Sequence, residues 1–62
     1  GRNELRIYDA TPMPGVEQGG GADTATIAAE AALTLPLTMH LLLALEGKGL
    51  VVREGSRWRR TR

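Results

Sequence analysis

The side chains best equipped for chemistry lie at the C-terminal end of the chain. Arg57, Arg59 and Arg60 flank Trp58, with Lys48 and Arg53 shortly before them and Arg62 last. Arginine grips phosphate and tryptophan stacks on an unpaired base, so this cluster fits a polyanion such as nucleic acid. Residues 48–62 hold six basic residues against Glu54, a net charge of +5. Residues 1–47 hold two basic residues against six acidic ones, a net of −4. The whole chain carries only +1, so it is the asymmetry that points to a polyanion-facing end. Two plainer readings stand beside it: a solvated Arg-rich tail, and a Trp58 that covers the core beneath a hairpin.

Catalytic chemistry finds little material. A nucleophile needs a base beside it. The only histidine, His40, sits between Met39 and Leu41. Asp23, Glu30 and Glu46 show no converging spacing. There is no cysteine, hence no disulfide and no thiolate metal site, and a single histidine holds no metal without several carboxylates. The run Gly19-Gly20-Gly21 lacks the Lys-Ser/Thr end of a phosphate loop and reads as a flexible connector. The expectation is a non-enzyme with no catalytic residue, metal or cofactor.

With 62 residues, the chain makes one small domain and reads as a piece of a larger protein. A domain of this size buries only about 60% of its unfolded surface. With no Phe, one Trp and one Tyr, Leu, Ile, Val and Ala must build the core. The longest apolar run, Leu41 to Leu45, falls far short of the roughly 20 residues that cross a bilayer. The polar start Gly-Arg-Asn-Glu carries no secretion signal. A cytoplasmic setting without a membrane partner is expected.

Five segments follow: a first helix over residues 1–11, a Gly/Pro-rich loop over 12–22, a two-helix unit over 23–47, a hairpin over 50–60, and a basic tail at 61–62. Asn3 is positioned to cap a helix from Glu4 to Ala10, with Leu5, Tyr8 and Ile7 as its apolar side. Thr11-Pro12 ends it, because the residue before proline avoids helical dihedrals. Asp23 caps a helix over Thr24–Ala32 that turns Ile27 and Ala31 inward, with Ala28 small enough for close approach. Leu33 falls in the turn, and Thr34 caps a third helix with Pro36 in its first turn. Thr38, Leu41, Leu42 and Leu45 share one stripe of that helix. Gly47 or Gly49 ends it, and Lys48 suits its negative end. In the hairpin, a Glu54-Gly55 turn places Val51 opposite Trp58, and a Gly55-Ser56 turn places Arg53 there. The first is preferred because it pairs apolar side chains. Three helices followed by a hairpin make a mainly α (α+β) winged helix-turn-helix, with the hairpin as its wing.

The third helix is apolar on nearly every side. Leu37, His40 and Leu43 lie off the core stripe, and a helix of this kind is normally covered. They form a predicted protein interface, toward the rest of a parent protein, a second copy or a partner. A helix that reads bases carries Arg, Lys, Asn or Gln near its start. Leu35 to Leu41 holds none of these, so sequence-specific reading is not expected.

Several segments resemble bacterial winged helices. Ile27-Ala28-Ala29-Glu30-Ala31-Ala32-Leu33-Thr34 is similar to their "LAARTGLP" turn. Leu42-Leu43-Ala44-Leu45-Glu46-Gly47-Lys48-Gly49-Leu50-Val51-Val52-Arg53 is similar to the "LLALELKGLVER" that closes their third helix. Glu54-Gly55-Ser56-Arg57-Trp58-Arg59 resembles their "PGGRYR" wing, and Asn3 to Ala10 resembles their first helix. The combination looks most like the C-terminal winged-helix domain of the DNA-processing protein A (DprA) family. That resemblance implies an accessory domain in a protein that binds incoming single-stranded DNA and helps load RecA during natural transformation. Ala32 stands where the turn usually has glycine, and the Rossmann-like domain that carries the family's main DNA site lies outside these residues. The candidate nucleic-acid contacts are Lys48, Arg53, Arg57, Arg59 and Arg60, acting nonspecifically on phosphates. Two alternatives stay open: a docking module using the third helix without DNA, and the DNA-binding head of a transcription regulator of the IclR or MarR type, which shares the "GLV" and wing features.

Overall fold

The computed structural model describes residues 1–14 and 20–62. The chain forms helices α1 (Arg2–Ala10), α2 (Thr24–Ala31) and α3 (Leu35–Gly47), then strands β1 (Val51–Glu54) and β2 (Arg57–Arg60). This is an α+β arrangement of three helices and a two-stranded antiparallel sheet. Among the described residues, no single helix is long and apolar enough to cross a membrane.

Local capping chemistry starts two of the helices. The Asp23 carboxylate accepts the Thr26 N–H at 2.8 Å, and the Thr34 hydroxyl accepts that of Leu37 at 3.3 Å. Each satisfies an N–H that the first helical turn leaves unpaired. Hydrogen bonding from Thr26 holds the Asp23 carboxyl below its ordinary pKa, so this cap contributes while the carboxylate is ionised and is lost on acidification through its lowered pKa.

The turn between α2 and α3 is a Schellman-type stop. Ala32 takes a left-handed conformation, φ 59 and ψ 43, and the Leu33 N–H reaches back to the Ala28 carbonyl at 3.0 Å. α3 leaves α2 at 105°. At its far end, Gly49 takes φ +78 after Lys48, so Gly49 rather than Gly47 supplies the left-handed residue.

α1 departs from expectation. It begins at Arg2 with Gly1 as its cap, and Asn3 makes no cap. The Leu5 N–H bonds to the Gly1 carbonyl at 3.1 Å, which closes the first turn ahead of Asn3. Its buried side is Ile7 and Thr11, whereas Leu5 is 60% exposed. The Thr11 hydroxyl donates to the Ile7 carbonyl at 2.7 Å, which satisfies it where water cannot reach.

The core gathers one or two side chains from every element: Ile7, Ile27, Ala31, Leu42, Leu45, Val51 and Trp58. Burying a large apolar side chain contributes about 1.5–3 kcal/mol, and a chain of this length has only about 3–9 kcal/mol of net stability. Each of the larger of these residues therefore supplies a sizeable share of that stability. Thr38 is also fully buried, and its hydroxyl has no partner among the described residues.

The hairpin register differs from the preferred one. Arg53 lies opposite Trp58 and Glu54 opposite Arg57, so the turn is Gly55-Ser56. Strand side chains alternate with period two, so both registers keep Val51 and Trp58 on one face and apolar pairing does not separate them. Turn chemistry does: Gly55 takes φ +64 at the first central position, as a two-residue hairpin turn of the primed type requires.

The loop between α1 and α2 adds a third rung. Ala22 and Trp58 exchange both backbone hydrogen bonds, at 2.9 and 2.8 Å, and the Arg60 N–H reaches the Pro12 carbonyl at 2.8 Å. β2 thus has a partner on each side. Gly21 takes φ +102, and a Cβ there would lie 2.9 Å from the Trp58 carbonyl oxygen. This glycine, read in sequence as part of a flexible connector, is a packing requirement. The remainder of that expected flexible stretch, residues 15–19, lies outside the described residues.

Two glycine exchanges should move stability in opposite directions. Ala32→Gly should raise it by about 0.5–1 kcal/mol, because the exposed alanine holds a left-handed backbone at a cost of about 1–2 kcal/mol, less the extra freedom glycine has when unfolded. Gly21→Ala should lower it by about 2 kcal/mol or more. Thermal and denaturant melts of the two variants check this; a neutral Gly21→Ala would show that the Ala22–Trp58 rung does not hold the sheet.

Candidate nucleic-acid interface

The hairpin displays its side chains on two faces. Val51, Arg53, Trp58 and Arg60 share the inner one, and Val52, Glu54, Arg57 and Arg59 share the outer one. Trp58 is 1% exposed and its indole N–H donates to the Thr24 hydroxyl at 3.0 Å. The ring covers the core beneath the hairpin. Stacking on an unpaired base is excluded because its ring faces are packed against the protein, with the Arg53 guanidinium 5.2 Å from the ring centroid.

The basic residues divide by what they touch. Arg60 is occupied internally: its Nε donates to the carbonyls of Thr11 at 2.8 Å and Tyr8 at 3.0 Å, and its Nη2 to that of Asp9 at 3.0 Å. These carbonyls lie at the end of α1, where that of Tyr8 also accepts the Thr11 N–H at 3.1 Å, and the guanidinium lies 4.6 Å from the centroid of the Tyr8 ring. Arg59 is held by Glu54 through two hydrogen bonds, at 3.3 and 3.0 Å. The hydrogen bond from Arg59 and its charge hold the Glu54 carboxyl below its ordinary pKa, and Arg59 is raised in return. Lys48 sits away from the hairpin turn, with its Nζ 2.8 Å from Glu4 Oε1, and this hydrogen bond lowers the Glu4 carboxyl. Both pairs are solvated, so they tether side chains more than they stabilise the fold.

Arg53 and Arg57 remain available. Both are exposed and neither has an acidic partner among the described residues. Arg57 donates to the Gly21 carbonyl at 3.0 Å, a neutral acceptor, and its charge acts on the Asp23 carboxylate without an ion-pair contact. Arg62, also exposed, extends the same positive end.

On α3 the predicted interface residues divide as well. His40 and Leu43 are exposed, Leu43 at 47%, while Leu37 is half-buried. With Pro36 and Gly47, also exposed, they form the side opposite Thr38, Leu42 and Leu45. That side carries no group able to pair with a base edge other than the His40 imidazole. Among the described residues, no three carboxylate or histidine side chains converge as a metal ion would need.

Sequence reasoning did not find the role of Arg60. Its partners are backbone carbonyls 49 to 52 residues away, and every residue type has a carbonyl, so no pattern marks them. Arg60→Ala should cost about 2–3 kcal/mol, since the buried or half-buried Thr11 and Tyr8 carbonyls and the exposed Asp9 carbonyl lose a charged donor. Arg60→Lys should recover less than half, because an ammonium lacks the planar fork that serves several acceptors and stacks on a ring. Urea denaturation of the three proteins tests this; full recovery by lysine would mean that charge alone matters.

Compared with known proteins, the chain matches no family model, no curated protein and no solved structure.

Proposed function

We propose that the chain is an accessory winged-helix domain of a DprA-like DNA-processing protein, and that its wing makes nonspecific contacts to nucleic acid phosphates. The parent's activity would be single-stranded DNA binding and RecA loading in the cytoplasm. The observation that carries the reading is that Arg53 and Arg57, one on each face of the hairpin that follows α3, are exposed and have no ion-pair partner among the described residues. The layout agrees with it. Two helices meeting at 105° across a short turn match a helix-turn-helix, and a paired hairpin follows directly. The side chains of α3 favour backbone gripping over base reading, which also counts against the transcription-regulator alternative.

The wing's grip is then smaller than its composition suggests. Six basic residues occupy positions 48–62, but Lys48 and Arg59 are ion-paired and Arg60 is held by three backbone carbonyls. Arg53, Arg57 and Arg62 are left for phosphate.

A second reading rests on the outward side of α3, where Leu43 is 47% exposed beside His40 and Pro36. In it the domain docks on its parent or a partner protein and binds no DNA. Leu43→Asp is the clean probe, because Leu43 is exposed whereas Leu37 is half-buried.

An amide NMR titration with short single-stranded and duplex DNA separates the two. Under the first reading, shifts centre on Arg53 to Arg57 and fade with salt. Arg53→Ala with Arg57→Ala should weaken binding equally for all sequences and flatten the single-strand salt slope by about 1.4, at about 0.7 for each phosphate no longer neutralised. Arg59→Ala should have a smaller effect. Unchanged binding in the double variant overturns the phosphate grip, and an absence of shifts at low salt leaves the docking reading.

A further inference from the structure

The solvent side of α1 carries a pattern that the proposed nucleic-acid function does not use. Arg2, Leu5 and Asp9 fall on one stripe of the helix, at i, i+3 and i+7, and all three are exposed. Leu5, at 60%, is the most exposed large apolar side chain among the described residues. Neither Arg2 nor the Asp9 carboxylate has an ion-pair partner among them. Leu5 is also one wall of an open apolar groove of about 380 Å³, with Tyr8 beside it, Leu45 and Leu50 across, and Glu4 at its rim. Leu50 is 41% exposed. A leucine ridge beside a leucine-lined groove, flanked by opposite charges two helical turns apart, is self-complementary.

We infer that this face pairs with a second copy of the chain. Two α1 helices packed antiparallel about a twofold axis near Leu5 set the two Leu5 side chains against each other and toward the partner's groove. The same operation brings each Arg2 to the partner's Asp9, forming two equivalent ion pairs, as an isologous contact requires. The opposed charges also fix the direction: a parallel pairing would set Arg2 against Arg2 and Asp9 against Asp9. One helix face and a shallow groove make a small contact, so pairing forms at high local concentration and dissociates on dilution. It uses a different helix from the docking surface on α3 and needs no nucleic acid.

Sedimentation velocity of this chain, from micromolar to about millimolar concentration, is the test. The wild-type chain should dimerise as concentration rises. Leu5→Asp should weaken the dimer about tenfold or more, with an unchanged thermal melt because Leu5 is exposed. Asp9→Arg alone should weaken it similarly by placing like charges together, and Arg2→Asp with Asp9→Arg should restore it to within about twofold of wild type. Both reversals suit the helix dipole, but Asp9→Arg sets a second cation beside the Arg60 guanidinium, which donates to the Asp9 carbonyl, so a thermal melt of each variant separates loss of fold from loss of pairing. A chain that stays monomeric throughout, a dimer dissolved by Leu43→Asp but not by Leu5→Asp, or a double reversal that fails to restore pairing overturns the inference.

Discussion

Burial of Trp58 is the constraint on which the rest of the structure depends. Its ring joins the core cluster drawn from α1, α2, α3 and β1. Its indole N–H is satisfied by Thr24 in the first turn of α2, and its backbone pairs with Ala22. One residue therefore binds the hairpin to the start of α2 and to the loop before it. In a domain with no phenylalanine and no cysteine, no second aromatic of its size and no disulfide can replace it. Losing such a ring costs about 3–5 kcal/mol, comparable with the whole stability of a chain this short. The left-handed Gly21 follows from the same contact, since only glycine lets the loop approach the Trp58 carbonyl.

Arg60 continues this tie at the other end of β2. Its backbone N–H bonds to Pro12 and its side chain collects the carbonyls at the end of α1. β2 is thus the strand to which both ends of the Gly/Pro-rich connector return. This division of labour leaves Trp58 and Arg60 as structural residues, while Arg53 and Arg57 stay exposed on opposite faces of the hairpin. A cluster that looks uniform in composition therefore holds two populations of arginine.

Much of the fold was legible in the residues. Asp23 and Thr34 mark helix starts because a side-chain oxygen two or three residues before an unpaired N–H is a local interaction, complete within one turn. The stripe Thr38, Leu41, Leu42 and Leu45 follows from helical period alone, and all but the half-buried Leu41 are buried. The order of three helices and a hairpin follows from such punctuation. The misplaced details have nonlocal causes. Ile7 rather than Leu5 is inward because α2 and α3 pack on that side of α1, and a helix of 9 residues has too few turns to reveal its buried side by pattern. The hairpin register escaped the apolar argument because a shift of two positions leaves every side chain on its face.

The candidate site divides the same way. The concentration of positive charge at the C-terminal end, and the lack of base-reading side chains on α3, were determined by the sequence itself, since both are matters of composition along a short stretch. Which arginines are free was decided only by tertiary structure. Glu54 claims Arg59, Glu4 claims Lys48, and the end of α1 claims Arg60, each through contacts whose distances depend on how the elements pack. Charge is a property of a residue type, but the availability of that charge depends on what the fold places within about 3 Å of it.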